Sequence, residues 1–249
     1  MWNTVYILWL RQLKRYLRSK PRIIGALGQP LLFLVALGFG FGPIYARAGG
    51  GNYIDFLAPG IISMSILFTS LFTGIEIIWD RQFGFLKEMM VAPVSRLSIM
   101  IGRTLGGASV AVLQGVIVFF ISLIAGFRPE TWSGLPLAIV FMFLIALLFT
   151  GLGTAIASLL SDMQGFQLIM NFLVMPIFFL SGALFPLQGL PPVVEVVARL
   201  DVLSYGVDGL RATLLQTSHF GVGLDLTVLL ISVACIVSVG AYLFSKMEA

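Results

Sequence analysis

FLSGALFPLQGLPPVVEVVARLDVLSYGVDGLR, from Phe179 to Arg211, is the stretch that decides how this chain is laid in space. It opens as the end of an apolar helix, breaks at Pro186, and then carries Glu195, Arg199, Asp201, Asp208 and Arg211 among aliphatic residues. An ionised side chain costs roughly 3 kcal/mol at the bilayer centre, so five cost on the order of 15 kcal/mol, more than the intervening leucines and valines offset. The stretch is therefore not a further span. It sits at the membrane surface, or dips in and turns back against protein, with Pro186, Pro191 and Pro192 stopping the preceding helix. Two short helices are expected, about Pro192 to Leu200 and Ser204 to Gln216. Asp208 and Arg211, three residues apart on one face, are expected to be satisfied by each other or by polar neighbours.

Working outward, the composition is that of an integral membrane protein. Hydrophobic residues fill 59% of 249 positions and charged ones 10%, with a mean hydropathy of +1.03, far from a soluble domain. The whole chain, residues 1–249, reads as one membrane domain, with no hydrophilic stretch long enough for a separate globular unit. Six segments are long enough to cross the hydrocarbon as helices, near 23–45, 54–78, 104–126, 135–160, 163–185 and 224–244. Residues 1–22 precede them as a basic amphipathic helix in the interface, with Trp2, Val5, Tyr6, Trp9, Leu13, Tyr16 and Leu17 at helical spacing and Arg11, Lys14, Arg15 and Arg18 on the flanks. Eleven of the 15 Lys and Arg residues fall on one side of this arrangement and four on the other. That asymmetry puts both termini and the loop 79–103 in the cytoplasm of a multi-pass inner (plasma) membrane protein, and the hairpin 186–222 outside.

The loop 79–103 carries Phe83, Phe85, Leu86, Met89 and Met90 beside Arg81, Lys87 and Glu88, on a short helix ended by Pro93. Such a surface either docks in a partner's groove or lies on lipid. On the fifth span Gln164, Gln167 and Asn171 share a face, which either lines a path or glues helices together. Gln29 with Pro30 gives the first span a comparable polar break. Cys235, the one cysteine, lies in an apolar run and reads as an inert packing residue.

Much chemistry is absent from the sequence. There is no Gly-x-x-x-x-Gly-Lys-Ser/Thr loop to cradle phosphates, no His-Glu-x-x-His, and no Gly-x-Ser-x-Gly. No catalytic residue and no metal ligand set is identified, and the basic charge points to membrane lipid rather than nucleic acid. No ionisable group lies near the middle of a span, where proton- or sodium-coupled carriers need one. Energy must come from a partner.

The order of parts resembles the ABC type-2 exporter permeases, which include the daunorubicin-resistance and Nod-factor export subunits. RQFGFLKEMMVAPVSR, Arg81 to Arg96, resembles their coupling segment at Arg81, Gly84 and Pro93. The opening stretch resembles their outer signature at Ser181, Gly182, Phe185, Pro186, Leu190, Pro191, Tyr205, Asp208 and Arg211. Gln82 stands where an acid is usual, and Val202 where a proline is common. The resemblance implies an all-α permease of the type V ABC exporter kind, with a cytoplasmic coupling helix and an outer re-entrant helical hairpin. It implies a pair of permeases, a homodimer or one copy with a homologous partner, served by two ATP-binding subunits, which hold the ATP and magnesium; this chain is expected to bind no cofactor. Coupling would fall to Arg81, Phe83, Gly84, Phe85, Lys87, Glu88 and Pro93. The path would involve Gln29, Gln164, Gln167 and Asn171, and the outer gate Ser181, Gly182, Phe185, Pro186, Pro191, Tyr205, Asp208 and Arg211. The implied substrate is large and partly apolar: a drug, lipid, lipid-linked saccharide or peptide. The alternative classes are a gated channel or secondary carrier and, behind them, a membrane-embedded enzyme.

Overall fold

A chain this apolar must satisfy its backbone donors and acceptors internally, and helices do so within each segment. A computed structural model describes residues 2–48, 51–85, 88, 94–160, 162–189 and 191–246, and among these there is no strand. The helices are α1 (Trp2–Arg18), α2 (Lys20–Arg47), α3 (Tyr53–Phe72), α4 (Ile75–Gln82), α5 (Arg96–Ile124), α6 (Leu135–Leu159), α7 (Met163–Leu180), α8 (Pro192–Leu200), α9 (Val202–Leu215) and α10 (Val222–Lys246). Among the described residues six units are long and apolar enough to cross a membrane: α2, α3 continuing into α4, α5, α6, α7 and α10.

Side chains that satisfy free backbone donors set several of the helix starts. Asn52 accepts from the Ile54 amide at 3.1 Å, Ser95 from the Ser98 amide at 3.2 Å, and Asp162 from the Gln164 and Gly165 amides at 2.8 and 2.7 Å. The third span begins at Arg96, eight residues before the expected Thr104. Arg103, which looked like a boundary, is instead buried inside the helix beside Asp80. The fifth span is shorter than expected, ending at Leu180 rather than Phe185. There the Ser181 hydroxyl donates back to the Phe178 carbonyl at 2.8 Å and Gly182, at φ +71°, turns the chain. Both short helices of the outer stretch are present. The first spans the expected residues, and the second starts two residues early because Asp201 caps it, accepting from the Leu203 amide at 2.9 Å.

The second span is the hub, packed against α2, α5, α6 and α9. Its apolar stretch is 78% buried, whereas those of the first, fifth and sixth spans are 17%, 22% and 11% buried. Two close approaches fix the hub. A side chain at Gly74 would collide with the Gly153 carbonyl of α6, and one at Gly60 with the Ala183 carbonyl beyond α7. Cys235 corrects an expectation: it is exposed on α10, since most of that span's surface has no protein neighbour among the described residues.

Candidate functional site

At one end of the bundle, here the basic end, α1 lies along α5. Trp9 Nε1 donates to Ser109 Oγ at 2.9 Å, and the Tyr16 hydroxyl donates to Gln114 Oε1. Burial pushes the Tyr16 hydroxyl above the usual phenol value, so it remains a donor. The apolar stripe of α1 is divided between protein and surroundings, with Val5 and Tyr16 buried and Trp2, Tyr6 and Leu17 exposed. That division suits a helix resting on the bundle at the level of the lipid headgroups.

Beneath α1 is a charge cluster that the sequence reading missed. Glu76 of α4 pairs with Arg22 of α2 and lies 3.6 Å from Arg15 of α1; Asp80, one turn on, pairs with Arg103 of α5 and lies 3.9 Å from Arg11. Glu76 and Arg103 are almost wholly buried. The signal was there in the four-residue spacings, Arg11 with Arg15 and Glu76 with Asp80, each of which puts two charges on one helix face. Only the fold brings the two faces together.

Arg11 carries the cluster on to the expected coupling segment, its guanidinium lying 4.1 Å from the centre of the Phe85 ring. Just before it, α4 ends and the chain turns at Phe83, which is 81% exposed, and Gly84, at φ +75°, a left-handed conformation that suits glycine. Arg81 is half-buried at the end of α4 and Glu88 is exposed. Lys87 and Pro93, with Leu86, Met89 and Met90, lie outside the described residues.

Gln29, Gln164, Gln167 and Asn171 are all exposed. The three amides of α7 therefore do not glue this chain's own helices together, and whatever they meet lies beyond it. Gln29 lines a cavity at the basic end with Tyr16, Arg22 and Ser65.

At the opposite end, Asp208 and Arg211 are both buried, but they do not bond to each other. Although they share a face of α9, they reach in different directions. Arg211 donates to the carbonyls of Gly182 at 2.8 Å and of Ala183 and Phe56 at 3.3 Å, with its guanidinium 3.8 Å from the Phe56 ring centre. Asp208 accepts from the Ser218 hydroxyl at 2.9 Å and from the His219 and Phe220 amides at 2.8 Å. Burial draws Arg211 down to about 10, opposed by the nearby Asp208 charge, so it stays cationic at neutral pH. Asp201 is pushed up to about 7 by burial, against the pull of the Leu203 amide.

The rest of the outer signature surrounds this knot. The Tyr205 hydroxyl donates to the Arg199 carbonyl at 2.8 Å, and its ring stacks on Phe220. Ser181 and Gly182 form the turn after α7, while Phe185 and Pro186 line an apolar cavity of about 400 Å³ with Phe41 and Tyr45 of α2. Pro191 is exposed before α8, and Leu190 lies outside the described residues. Of the residues that the resemblance singled out, Ser181, Pro186, Asp208 and Arg211 line one cavity, with the arginine's partners being backbone carbonyls rather than the neighbouring acid.

Residues 3–215 match the ABC-2 type transporter family. The chain is 32% identical to Nodulation protein J of Rhizobium leguminosarum bv. trifolii over 217 residues, covering 86% of this chain and 80% of that protein. It is 27% identical to Nodulation protein J of Rhizobium meliloti, covering 92% and 85%. It is also 27% identical to the putative transport permease ycf38 of Cyanophora paradoxa, covering 98% and 88%. With six apolar helices of spanning length and a family match over most of its length, this chain belongs to the ABC-2 type transporters, as a membrane transport permease.

Proposed function

We propose that the chain is the membrane subunit of an ATP-driven exporter, two identical copies of it working with two ATP-binding subunits docked at the basic end. That end faces the cytoplasm, in keeping with the excess of Lys and Arg there. The observation that carries the reading is the turn at Phe83 and Gly84. It presents a large apolar side chain to the surroundings while Arg11 ties the following Phe85 to the buried cluster beneath α1. Movement of a partner held at Phe83 would thus be passed to α1, α2, α4 and α5 together rather than absorbed by a loose loop.

The second copy covers the exposed faces of α2 and α7, which bear Gln29 on one and Gln164, Gln167 and Asn171 on the other. A path between the copies would then be apolar with scattered amides, suited to a large and partly apolar substrate. The knot at Arg211 closes its outer end. Replacing Gly84 with isoleucine is expected to strain the left-handed turn, and among the described residues no atom lies within 4 Å of a Cβ built there. Copurified complex should lose its ATP-binding subunit or its transport-linked ATPase, with the permease still inserted. Unchanged ATPase stimulation and transport in Gly84→Ile would contradict the coupling role.

A further inference from the structure

We propose that the partly open cavity between α1, α2 and α3 at the basic end binds an anionic amphiphile, its chain inside the cavity and a phosphate headgroup on Arg22 and Arg15. The cavity measures about 310 Å³ and is lined by Tyr16, Arg22, Gln29, Ser65, Phe68 and Phe72 among others. That volume is at the small end for ligand sites and suits part of one chain.

Two further observations point to a ligand. The Ser65 hydroxyl lines the cavity, is 2% exposed, and has no hydrogen-bond partner among the described residues. A buried hydroxyl left so is uncommon and calls for an explanation; an ester or hydroxyl oxygen of the ligand supplies one. The charge at the mouth is also out of balance. Arg22, which lines the cavity, shares the Glu76 carboxylate with Arg15, so among the described residues two guanidiniums there meet one carboxylate and a positive charge is left over.

The imbalance extends outward. A groove of about 750 Å³ beside the cavity is lined by Arg11, Lys14, Arg15 and Arg18. Arg15 and Arg22 both reach Glu76, so the basic walls of groove and cavity meet there. A phosphate monoester, at about −1.5 to −2, offsets the surplus and offers oxygens to more than one guanidinium. A zwitterionic headgroup would bring a cation to the same spot. Basic pockets between spanning helices hold anionic headgroups for this reason. That the site loads the exported substrate rests on the export reading; binding itself does not.

The test uses the purified full-length permease in detergent, without ATP-binding subunits, and three probes: oleoyl lysophosphatidic acid, oleoyl lysophosphatidylcholine and inorganic phosphate. Lysophosphatidic acid should raise the melting temperature saturably, with a Kd at least tenfold below that of lysophosphatidylcholine, and phosphate alone should raise it little. Gly25 lines the cavity with no atom within 4 Å of a Cβ built on it, so Gly25→Leu puts a bulky side chain at the space and should weaken lysophosphatidic acid at least tenfold. Arg22→Gln should weaken lysophosphatidic acid and leave lysophosphatidylcholine unchanged. Equal affinity for both lipids, phosphate matching the lipid, or an indifferent Gly25→Leu variant would each overturn the site. Loss of coupled ATPase in a reconstituted complex speaks only to the export reading, so the two fail separately.

Discussion

Asp80→Ala is expected to destabilise the folded permease by about 3–5 kcal/mol, the scale set by stripping one partner from a buried ion pair. Asp80 is the carboxylate paired with Arg103, whose side chain is only 4% exposed and two of whose nitrogens already lack hydrogen-bond partners among the described residues. Without it a guanidinium is left uncompensated against the apolar face of α5. The purified variant should melt well below the parent or fail to accumulate in the membrane. Removing both charges together, as Asp80→Leu with Arg103→Met, should recover most of the loss, because the cost lies in the orphaned charge rather than in the absence of the pair. A double variant as unstable as Asp80→Ala would show instead that the pair holds the geometry of α4 against α5.

The second large effect is expected at the outer end. Arg211 is the donor that joins α9 to the start of α3 through Phe56 and to the turn after α7 through Gly182 and Ala183. Arg211→Met leaves those carbonyls buried without their donor. At roughly 1–3 kcal/mol for an orphaned buried group, part of it relieved by rearrangement, the net loss should be about 3–5 kcal/mol. Arg211→Lys should fall between, because an ammonium is a point donor and cannot spread over three carbonyls as a planar fork does. The melting temperatures of the three proteins, ranked Arg above Lys above Met, check this. If the lysine variant matched the parent, the positive charge beside Asp208 would matter and the carbonyl contacts would not.

Six spanning helices could be read from the sequence because apolar length is a local property, and Pro192–Leu200 could be read because proline and charge bracket it. What could not be read depended on contacts between distant residues. Arg103 looks like the edge of a span until Asp80, 23 positions earlier, is placed beside it. The Tyr16 hydroxyl finds Gln114 across 98 positions, which no helical spacing encodes. Asp208 and Arg211 have the spacing of an ion pair, yet α9 is packed so closely between α3 and the turn after α7 that backbone carbonyls reach the guanidinium first. The amides of α7 were legible as one face, but whether that face was covered by this chain depended on where α7 docks, and it docks with Gln164, Gln167 and Asn171 outward.

Everything assigned to an ATP-binding partner requires the turn at Phe83 to face the cytoplasm and the loop after α9 to face outward. Single cysteines in a Cys235→Ser background measure this directly, with Thr217→Cys for the exposed outer loop and Phe83→Cys for the turn. In intact cells an impermeant thiol reagent should label the Thr217→Cys protein, and the Phe83→Cys protein should react only after permeabilisation. Labelling of Phe83→Cys in intact cells, with Thr217→Cys protected, would invert the bundle and remove the coupling surface from the side where ATP is found.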